Sequence, residues 1–136
     1  MHTTNYTDTF IAIADDCPVT TAEVPTPKGD KPTIASMQYN ILHNNPYKFD
    51  SDDVIFNTYA LKNDLTKKEM PAEREKFFSK GQACMRSSPL TKRYGWGVHS
   101  NDKGKIALYA LESPEYKKML KDKNLMQVKA MRSKKA

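Results

Sequence analysis

A turn signature between two apolar stretches constrains the fold more than any other feature of the sequence. The tetrapeptide NDKG, residues 101–104, separates GWGVHS from KIALYAL. In the second stretch Ile106, Leu108 and Ala110 occupy alternate positions, and this period of two is typical of a β-strand. Asn, Asp and Gly supply the backbone conformations that tight hairpin turns need. The sequence therefore predicts an antiparallel ribbon whose two strands meet at this turn.

Three further segments have the composition of strands. The apolar run TFIAIA, residues 9–14, is followed by two aspartates and soon by a proline. In SDDVIFNTYAL the serine and aspartates are compatible with a helix start, but the β-branched and aromatic residues favour a strand over Val54–Leu61. The final stretch, LMQVKAMRSKKA, fits a strand from Met126 to Ala130, although part of it also has helical spacing.

Three segments have the spacing and end signals of helices. Apolar residues recur three or four positions apart over residues 33–44, where a threonine is available as the cap. A second helix is predicted to begin near Thr66 or Pro71 and to end before Gly81. The third begins after Ser113, because a proline and a glutamate follow this capping residue.

Length and element order together predict one domain over residues 1–136. Strands interleaved with helices and joined partly by hairpins indicate an α+β fold, in which a mainly antiparallel sheet carries about three helices. No run approaches the roughly 18 apolar residues of a membrane span. Since the beginning, MHTTNYTDTF, is polar, we expect a cytoplasmic protein with no membrane partner.

Positive charge is concentrated at the C-terminal end. The formal net charge is +6, yet residues 117–136 alone contain eight Lys or Arg against one Asp. One hypothesis is therefore a nucleic-acid binder that uses this basic tail, and the alternative is a solvated terminus without a partner. The basic residues of the tail are Lys117, Lys118, Lys121, Lys123, Lys129, Arg132, Lys134 and Lys135.

The common metal and nucleotide signatures are missing from the sequence. His2, His43 and His99 are isolated, and no C-x-x-C or H-x-x-x-H pair occurs. Neither dinucleotide nor P-loop glycine patterns are present, and Gly95-Trp96-Gly97 is not followed by a helical pattern. We therefore expect no metal and no cofactor, and the sequence leaves open whether the protein is an enzyme.

The stretch RSSPLTKRYGWGVH, residues 86–99, is the candidate ligand site. It combines guanidinium and ammonium groups, short hydroxyl donors, the chain's only Trp and a His. Guanidinium groups hold phosphate or carboxylate in a bidentate way, and hydroxyls complete such a shell. This composition predicts binding of a small anionic ligand by Arg86, Ser87, Ser88, Thr91, Lys92, Arg93, Trp96 and His99.

A structural interpretation of the same stretch competes with the ligand site. The Ser88-Pro89 pair is typical of a turn, and Tyr94 and Trp96 sit where a hairpin strand faces a core. Under this interpretation residues 86–93 form a polar turn and residues 94–99 open the hairpin. The cations are then solvated, and any site depends on the turn's cations and hydroxyls.

Cys84 is a third candidate, of a different class. It lies at the start of a run, Gln82–His99, in which every charge is positive, and nearby cations favour a thiolate nucleophile. Catalysis would also need a base, for which His99 is the candidate. The alternative is a half-buried cysteine without chemistry, and neither Cys17 nor Cys84 has the close partner that predicts a disulfide.

The sequence resembles a small family of mainly bacterial proteins catalogued as a domain of unknown function. The resemblance spans nearly the whole chain and implies a bacterial single-domain protein without carrying any functional residue over. RSSPLTKRYGWG is its most recognisable stretch. The matching segments are MHTTNY, DTFI, DDCPV, PYKFDSDDVIF, EKFFSKGQACMRSSPLTKRYGWGVHS, GKIALYALES and VKAMRSKKA.

Overall fold

A four-stranded sheet forms the centre of the molecule. The computed structural model describes residues 2–133. The strands lie in the order β3-β2-β1-β4, and β2 pairs with β3 in the predicted antiparallel hairpin. β1 pairs antiparallel with β2 and confirms the predicted first strand. The strands are β1 Thr9–Ala12, β2 Trp96–Ser100, β3 Ile106–Ala110 and β4 Met126–Lys129.

The last strand gives the sheet a mixed character. β4 runs parallel to β1, with Thr9 opposite Met126 and Ala12 opposite Lys129. The final stretch is therefore a strand, as predicted, and its helical alternative does not occur. Two of the three strand pairings are antiparallel. The connection between β3 and β4 contains an α-helix, and such a crossover lets β4 run parallel to β1.

Five α-helices surround the sheet within residues 2–133, more than the three predicted. The helices expected near residues 33–44, 71–80 and 114–120 are present, and Thr33 and Ser113 cap two of them through their side chains. The α+β class is confirmed. The helices are α1 Ile34–His43, α2 Ser51–Lys62, α3 Met70–Phe77, α4 Pro89–Lys92 and α5 Pro114–Leu120.

The strand predicted over Val54–Leu61 is wrong, because this segment lies in α2. Asp50 starts the helix with a reciprocal cap: its carboxylate accepts the Asp53 N–H at 2.8 Å, and the Asp53 carboxylate accepts the Asp50 N–H at 3.2 Å. Val54 and Phe56 are almost completely buried. Capping and burial together outweigh the modest helix penalty of β-branched and aromatic side chains.

The other additional helix lies in the segment predicted as a polar turn. Met85–Ser87 forms one turn of 3-10 helix, and α4 follows directly. The Ser88 side chain caps α4, and Pro89 occupies the first helical position, where a missing N–H has no cost. Leu90 is completely buried on one side of α4. The segment is therefore packed against the body of the protein.

The two faces of the sheet are covered by different elements. Ile11 and Val98 point to the face that packs against α1, α2 and α4. Phe10 points to the opposite face, where its ring meets the Tyr116 ring of α5 edge-on at 5.0 Å. Within residues 2–133 no helix combines the length and apolar character that crossing a bilayer requires.

Candidate functional site

The hydroxyl groups of the predicted ligand site are mainly engaged within the protein. Ser88 Oγ accepts the Leu90 N–H at 3.1 Å and donates to Gln38 Oε1. Thr91 is completely buried, and its hydroxyl lies 3.0 Å from the carbonyl oxygens of Met85 and Ser88. These two side chains hold the turn and α4 in place.

The cations of the predicted site lie on different elements: Arg86 on the 3-10 turn, and Lys92 and Arg93 at the end of α4. Arg86 Nε donates to the Lys129 carbonyl at 2.7 Å and so joins the turn to β4. The Ser87 hydroxyl donates to Met131 Sδ at 3.0 Å beside it. Lys92 is half-buried and Arg93 is exposed at the end of α4. The Arg86 guanidinium is therefore engaged in part by the protein itself.

Trp96 and His99 lie on opposite faces of the sheet. Trp96 packs toward α1, where its ring centroid is 5.4 Å from that of Tyr39, and its Nε1 donates to the Glu23 carbonyl at 2.8 Å. His99 faces the other side and lies 2.8 Å from the Tyr47 hydroxyl through Nδ1. The eight predicted residues therefore do not line one pocket.

Two of the eight residues, Ser87 and Ser88, do line a cavity of about 300 Å³, which we name the Gln38 cavity. It lies between α1, α2, the end of α3 and residues 83–89. One lysine and no carboxylate contribute to its wall. The lining residues are Ile34, Gln38, Ile55, Thr58, Tyr59, Lys62, Phe77, Ala83, Cys84, Ser87, Ser88 and Pro89.

The orientation of the Gln38 amide follows from its neighbour. Because Ser88 Oγ already accepts the Leu90 N–H, its own hydrogen needs an acceptor. That acceptor is Gln38 Oε1. The amide oxygen is therefore directed toward Ser88, and the amide nitrogen is directed away from it.

The Gln38 amide nitrogen is available to a ligand. Gln38 is only 6% exposed, and its Nε2 makes no hydrogen bond to any residue in the range 2–133. Within the same range no fully enclosed side-chain nitrogen or oxygen is without a partner. Nε2 therefore keeps access to open space, and the space that Gln38 borders is the cavity. A donor of this kind, on a largely buried side chain, can bond an incoming acceptor.

Cys84 lies on the cavity wall beside Tyr6 and Arg86. Its Sγ is 3.6 Å from the Tyr6 hydroxyl, and the thiol is half-buried and free. Burial and the contact with Cys84 raise the pKa of the Tyr6 hydroxyl, while the nearby Arg86 guanidinium acts in the opposite direction. The polar partner of the thiol is therefore Tyr6, whereas His99, the histidine considered as its base, is bonded to Tyr47.

The N-terminal segment that carries Tyr6 is fastened to the start of α2. The Asp52 carboxylate accepts the Thr4 N–H at 2.7 Å and the Thr4 hydroxyl at 2.6 Å. The same carboxylate accepts the Thr3 hydroxyl at 2.6 Å through its other oxygen. These contacts place the Tyr6 side chain against Cys84.

A second polar cluster joins Tyr47, His99 and Tyr109. The Tyr47 hydroxyl lies 2.8 Å from His99 Nδ1 and 2.6 Å from the Tyr109 hydroxyl. Burial lowers the pKa of His99, although the charges of Asp8 and Asp122 oppose the shift. Burial and the hydrogen bond to Tyr109 raise the pKa of Tyr47. The tyrosine is therefore protonated and the histidine predominantly neutral near pH 7.

The C-terminal basic residues are distributed over structured elements up to residue 133. Lys117 and Lys118 lie on α5, and Lys129 at the end of β4 forms an exposed ion pair with Asp15 at 2.9 Å. Met131 N donates to the Arg86 carbonyl, so the chain beyond β4 follows the 3-10 turn. Lys134 and Lys135 lie outside the described residues.

A larger cleft, of about 560 Å³, is lined by residues of α1, α2 and α3 and of the loops between them. Its walls are apolar, with Phe49, Leu61 and Met70 among them, and its lining side chains include one carboxylate, Asp64, and no cation. Among residues 2–133 no cluster of three or more His, Cys, Asp or Glu side chains is placed to hold a metal ion. Of these two spaces, the Gln38 cavity is therefore the better candidate for an anionic ligand.

Sequence reasoning missed Gln38, Lys62 and Tyr6. A signal for Gln38 was present, because it lies four residues from both Ile34 and Leu42 and so interrupts the apolar stripe of α1 with an amide. Lys62 was missed because its segment was interpreted as a strand. Nothing in MHTTNY distinguishes Tyr6 from an ordinary aromatic residue.

Comparison with known proteins gives a family and no function. Searches of curated proteins and of solved structures found no match. One family model matches the chain over residues 1–136, and its description is a family of unknown function, DUF6157. The resemblance inferred from the sequence motifs agrees with this match. Because the match covers the whole sequence, the chain belongs to the DUF6157 family.

Proposed function

We propose that the protein binds a small organic acid, with an apolar body and a carboxylate, in the Gln38 cavity. The observation that carries the proposal is the amide nitrogen of Gln38, which has no partner among residues 2–133 although the residue is largely buried and lines the cavity. The proposal keeps Ser87 and Ser88 from the predicted anion site. It replaces the dispersed cations of that site by Lys62 and the amide.

The chemistry of the cavity wall supports a ligand that accepts hydrogen bonds. The Gln38 amide nitrogen offers two N–H donors, one or both of which face open space once the amide oxygen is held by Ser88. A carboxylate or carbonyl oxygen satisfies such a donor, whereas an ammonium group does not. Hydrogen bonds to a charged acceptor stabilise by about 1.5–3 kcal/mol each.

Charge supports an acid over an amine. Among residues 2–133, Lys62 is the sole charged residue on the cavity wall, so a carboxylate finds a cation there and no competing anion from this part of the chain. An amine of the same shape meets like charge and finds no carboxylate. The preference for acid over amine falls with added salt, because Lys62 is exposed and its charge is screened.

Size and lining limit the ligand to a small molecule. About 300 Å³ is at the lower end of the range for ligand pockets. Ile34, Ile55 and Phe77 supply apolar walls, against which one ring or a short alkyl chain can pack. We therefore use phenylacetate as the probe, with phenylacetamide and phenethylamine as matched neutral and cationic analogues.

The test is a calorimetric titration of the three probes against the full chain. Phenylacetate should bind more tightly than phenylacetamide, and phenethylamine should not bind. Gln38→Glu keeps an oxygen for the Ser88 hydroxyl but replaces the N–H donors, so it should weaken phenylacetate binding at least tenfold, or about 1.4 kcal/mol. Lys62→Gln should remove most of the preference for the acid over the amide.

Lys68→Gln is the matched control, because Lys68 is exposed and does not line the Gln38 cavity. It removes the same charge and should leave all three affinities unchanged. Equal binding of the acid and the amine, or unaltered acid binding by Gln38→Glu, would contradict the proposed function. Far-ultraviolet circular dichroism of each variant establishes that the helices remain folded.

A further inference from the structure

We infer that Cys84 exchanges with small disulfides that carry a carboxylate, and that the Gln38 cavity holds the carboxylate end during the exchange. This inference rests on the proposed function, since the same amide and lysine orient the substrate. Two independent observations lead to it. One is the free thiol on the cavity wall, and the other is the unpartnered amide nitrogen of the largely buried Gln38.

The surroundings of Cys84 suit a nucleophilic thiol. The side chain is half-buried, so it has access to the cavity while apolar neighbours such as Phe77 restrict the approach. The Tyr6 hydroxyl at 3.6 Å can donate a hydrogen bond to the sulfur, and the Arg86 cation lies beside that hydroxyl. The sulfur is therefore accessible from the cavity and has one hydroxyl beside it.

The residues that line the Gln38 cavity limit the reactions that Cys84 can carry out. No His, Asp or Glu lines the Gln38 cavity among the described residues, so the wall provides neither a general base nor an acid to protonate an amine leaving group. Hydrolysis of amides by a cysteine needs such a group. Thiol–disulfide exchange does not, because the leaving group is itself a thiolate.

The step balances without any further reactant. The Cys84 thiol loses its proton, and the sulfur attacks one sulfur of the substrate disulfide. A bond forms between Cys84 Sγ and that sulfur while the substrate's S–S bond breaks. The departing thiolate takes up the proton, so the products are a mixed disulfide on Cys84 and one free small thiol. A second small thiol reverses the reaction.

Recognition of the substrate follows from the distribution of polar groups. The carboxylate accepts from the Gln38 amide and lies near Lys62, while the short chain between carboxylate and sulfur packs against the apolar wall. A disulfide that carries amines meets the lysine instead. Dithiodipropionate, a dicarboxylate, and cystamine, a diamine of comparable length, therefore form a matched pair of probes.

The experiment measures the rate of mixed-disulfide formation on the full chain by mass spectrometry, with the modified cysteine located by peptide mapping. Dithiodipropionate should modify Cys84 at least tenfold faster than cystamine. Gln38→Glu should abolish this preference, because the new carboxylate repels the acid and attracts the amine. Cys17→Ser should leave the rates unchanged, since Cys17 packs against the sheet core outside the cavity.

The outcomes distinguish the two proposals. If phenylacetate binds but Cys84 stays unmodified by dithiodipropionate, the exchange is overturned and the acid site stands. If phenylacetate does not bind and both disulfides react at one rate, Cys84 is merely an accessible thiol and both proposals fail. Modification at Cys17 in preference to Cys84 also overturns the exchange. A rate advantage for dithiodipropionate that disappears in Gln38→Glu supports it.

Discussion

Burial has different consequences for two polar side chains, Gln38 on the wall of the Gln38 cavity and His99 in the cluster with Tyr47 and Tyr109. Gln38 is buried with one half of its amide paired, so its other half remains ready for a ligand. His99 is half-buried with its Nδ1 already paired to Tyr47, and its pKa is lowered as a result of burial. In the proposed function, the first side chain recognises the ligand. The second, His99, links β2 to Tyr47, which lies in the loop before α2.

The pH dependence of stability should include a contribution from His99. Because its folded-state pKa is lowered from the usual 6.5, the unfolded state takes up a proton more readily. This contribution to the free energy of unfolding is complete above about pH 6.5 and is lost as the pH falls toward the folded-state pKa. Urea unfolding of the parent and of His99→Asn at about pH 7.5 and about pH 5.5 measures it.

The parent should lose more stability between these two pH values than His99→Asn does. The variant itself is less stable at the higher pH, because the Tyr47 hydroxyl exchanges an imidazole partner for a shorter amide. The comparison therefore uses the change with pH within each protein. An equal change in both proteins would contradict the assignment of a lowered pKa to His99.

Among the helices, α2 contributes the most residues to the candidate site, and most of its length was predicted as a strand. Its side chains supply Ile55, Thr58, Tyr59 and Lys62 to the cavity, and its first turn holds the N-terminal segment. Local propensity favours a strand here, but the Asp50 cap and burial against α1 decide for a helix. The hairpin of β2 and β3 was predictable because the turn sequence NDKG and the alternating apolar residues after it both indicate an antiparallel strand pair.

The attachment of the N-terminal segment to α2 gives a prediction for this element. Asp52→Ala removes the carboxylate that accepts the Thr4 N–H at 2.7 Å. Thr4 is only 5% exposed. Loss of a hydrogen bond to a carboxylate costs about 1.5–3 kcal/mol. Amide hydrogen exchange at Thr4 should accelerate about tenfold to a hundredfold, while exchange in β2 changes little.

Asp30→Ala is the control for this measurement. Asp30 is exposed in the turn between Lys28 and Lys31, which pair with each other and not with the N-terminal segment. Its replacement removes an equal charge and should leave the exchange at Thr4 unchanged. If Asp52→Ala also leaves Thr4 protected, the N-terminal segment is held by other contacts and the positioning of Tyr6 needs another explanation.

The candidate site is assembled from segments that are distant in sequence. The Ser88 hydroxyl meets the Gln38 amide across 50 positions, and the Tyr6 hydroxyl meets the Cys84 thiol across 78. Composition directed attention to residues 86–99, of which Ser87 and Ser88 line the Gln38 cavity. It could not predict which side chains converge there, because strand alternation separates Trp96 from His99 and the fold brings in Gln38 and Lys62 from two helices.

The central claim is that the Gln38 amide nitrogen receives the carboxylate of a small acid. The most direct measurement is a phenylacetate titration followed through the side-chain NH₂ signals of the three glutamines in a ¹⁵N-labelled protein. Gln38→Glu assigns its signal by loss. The account predicts that the Gln38 signal shifts and saturates while those of Gln82 and Gln127 stay in place. A Gln38 signal that remains unchanged at saturating phenylacetate would contradict it.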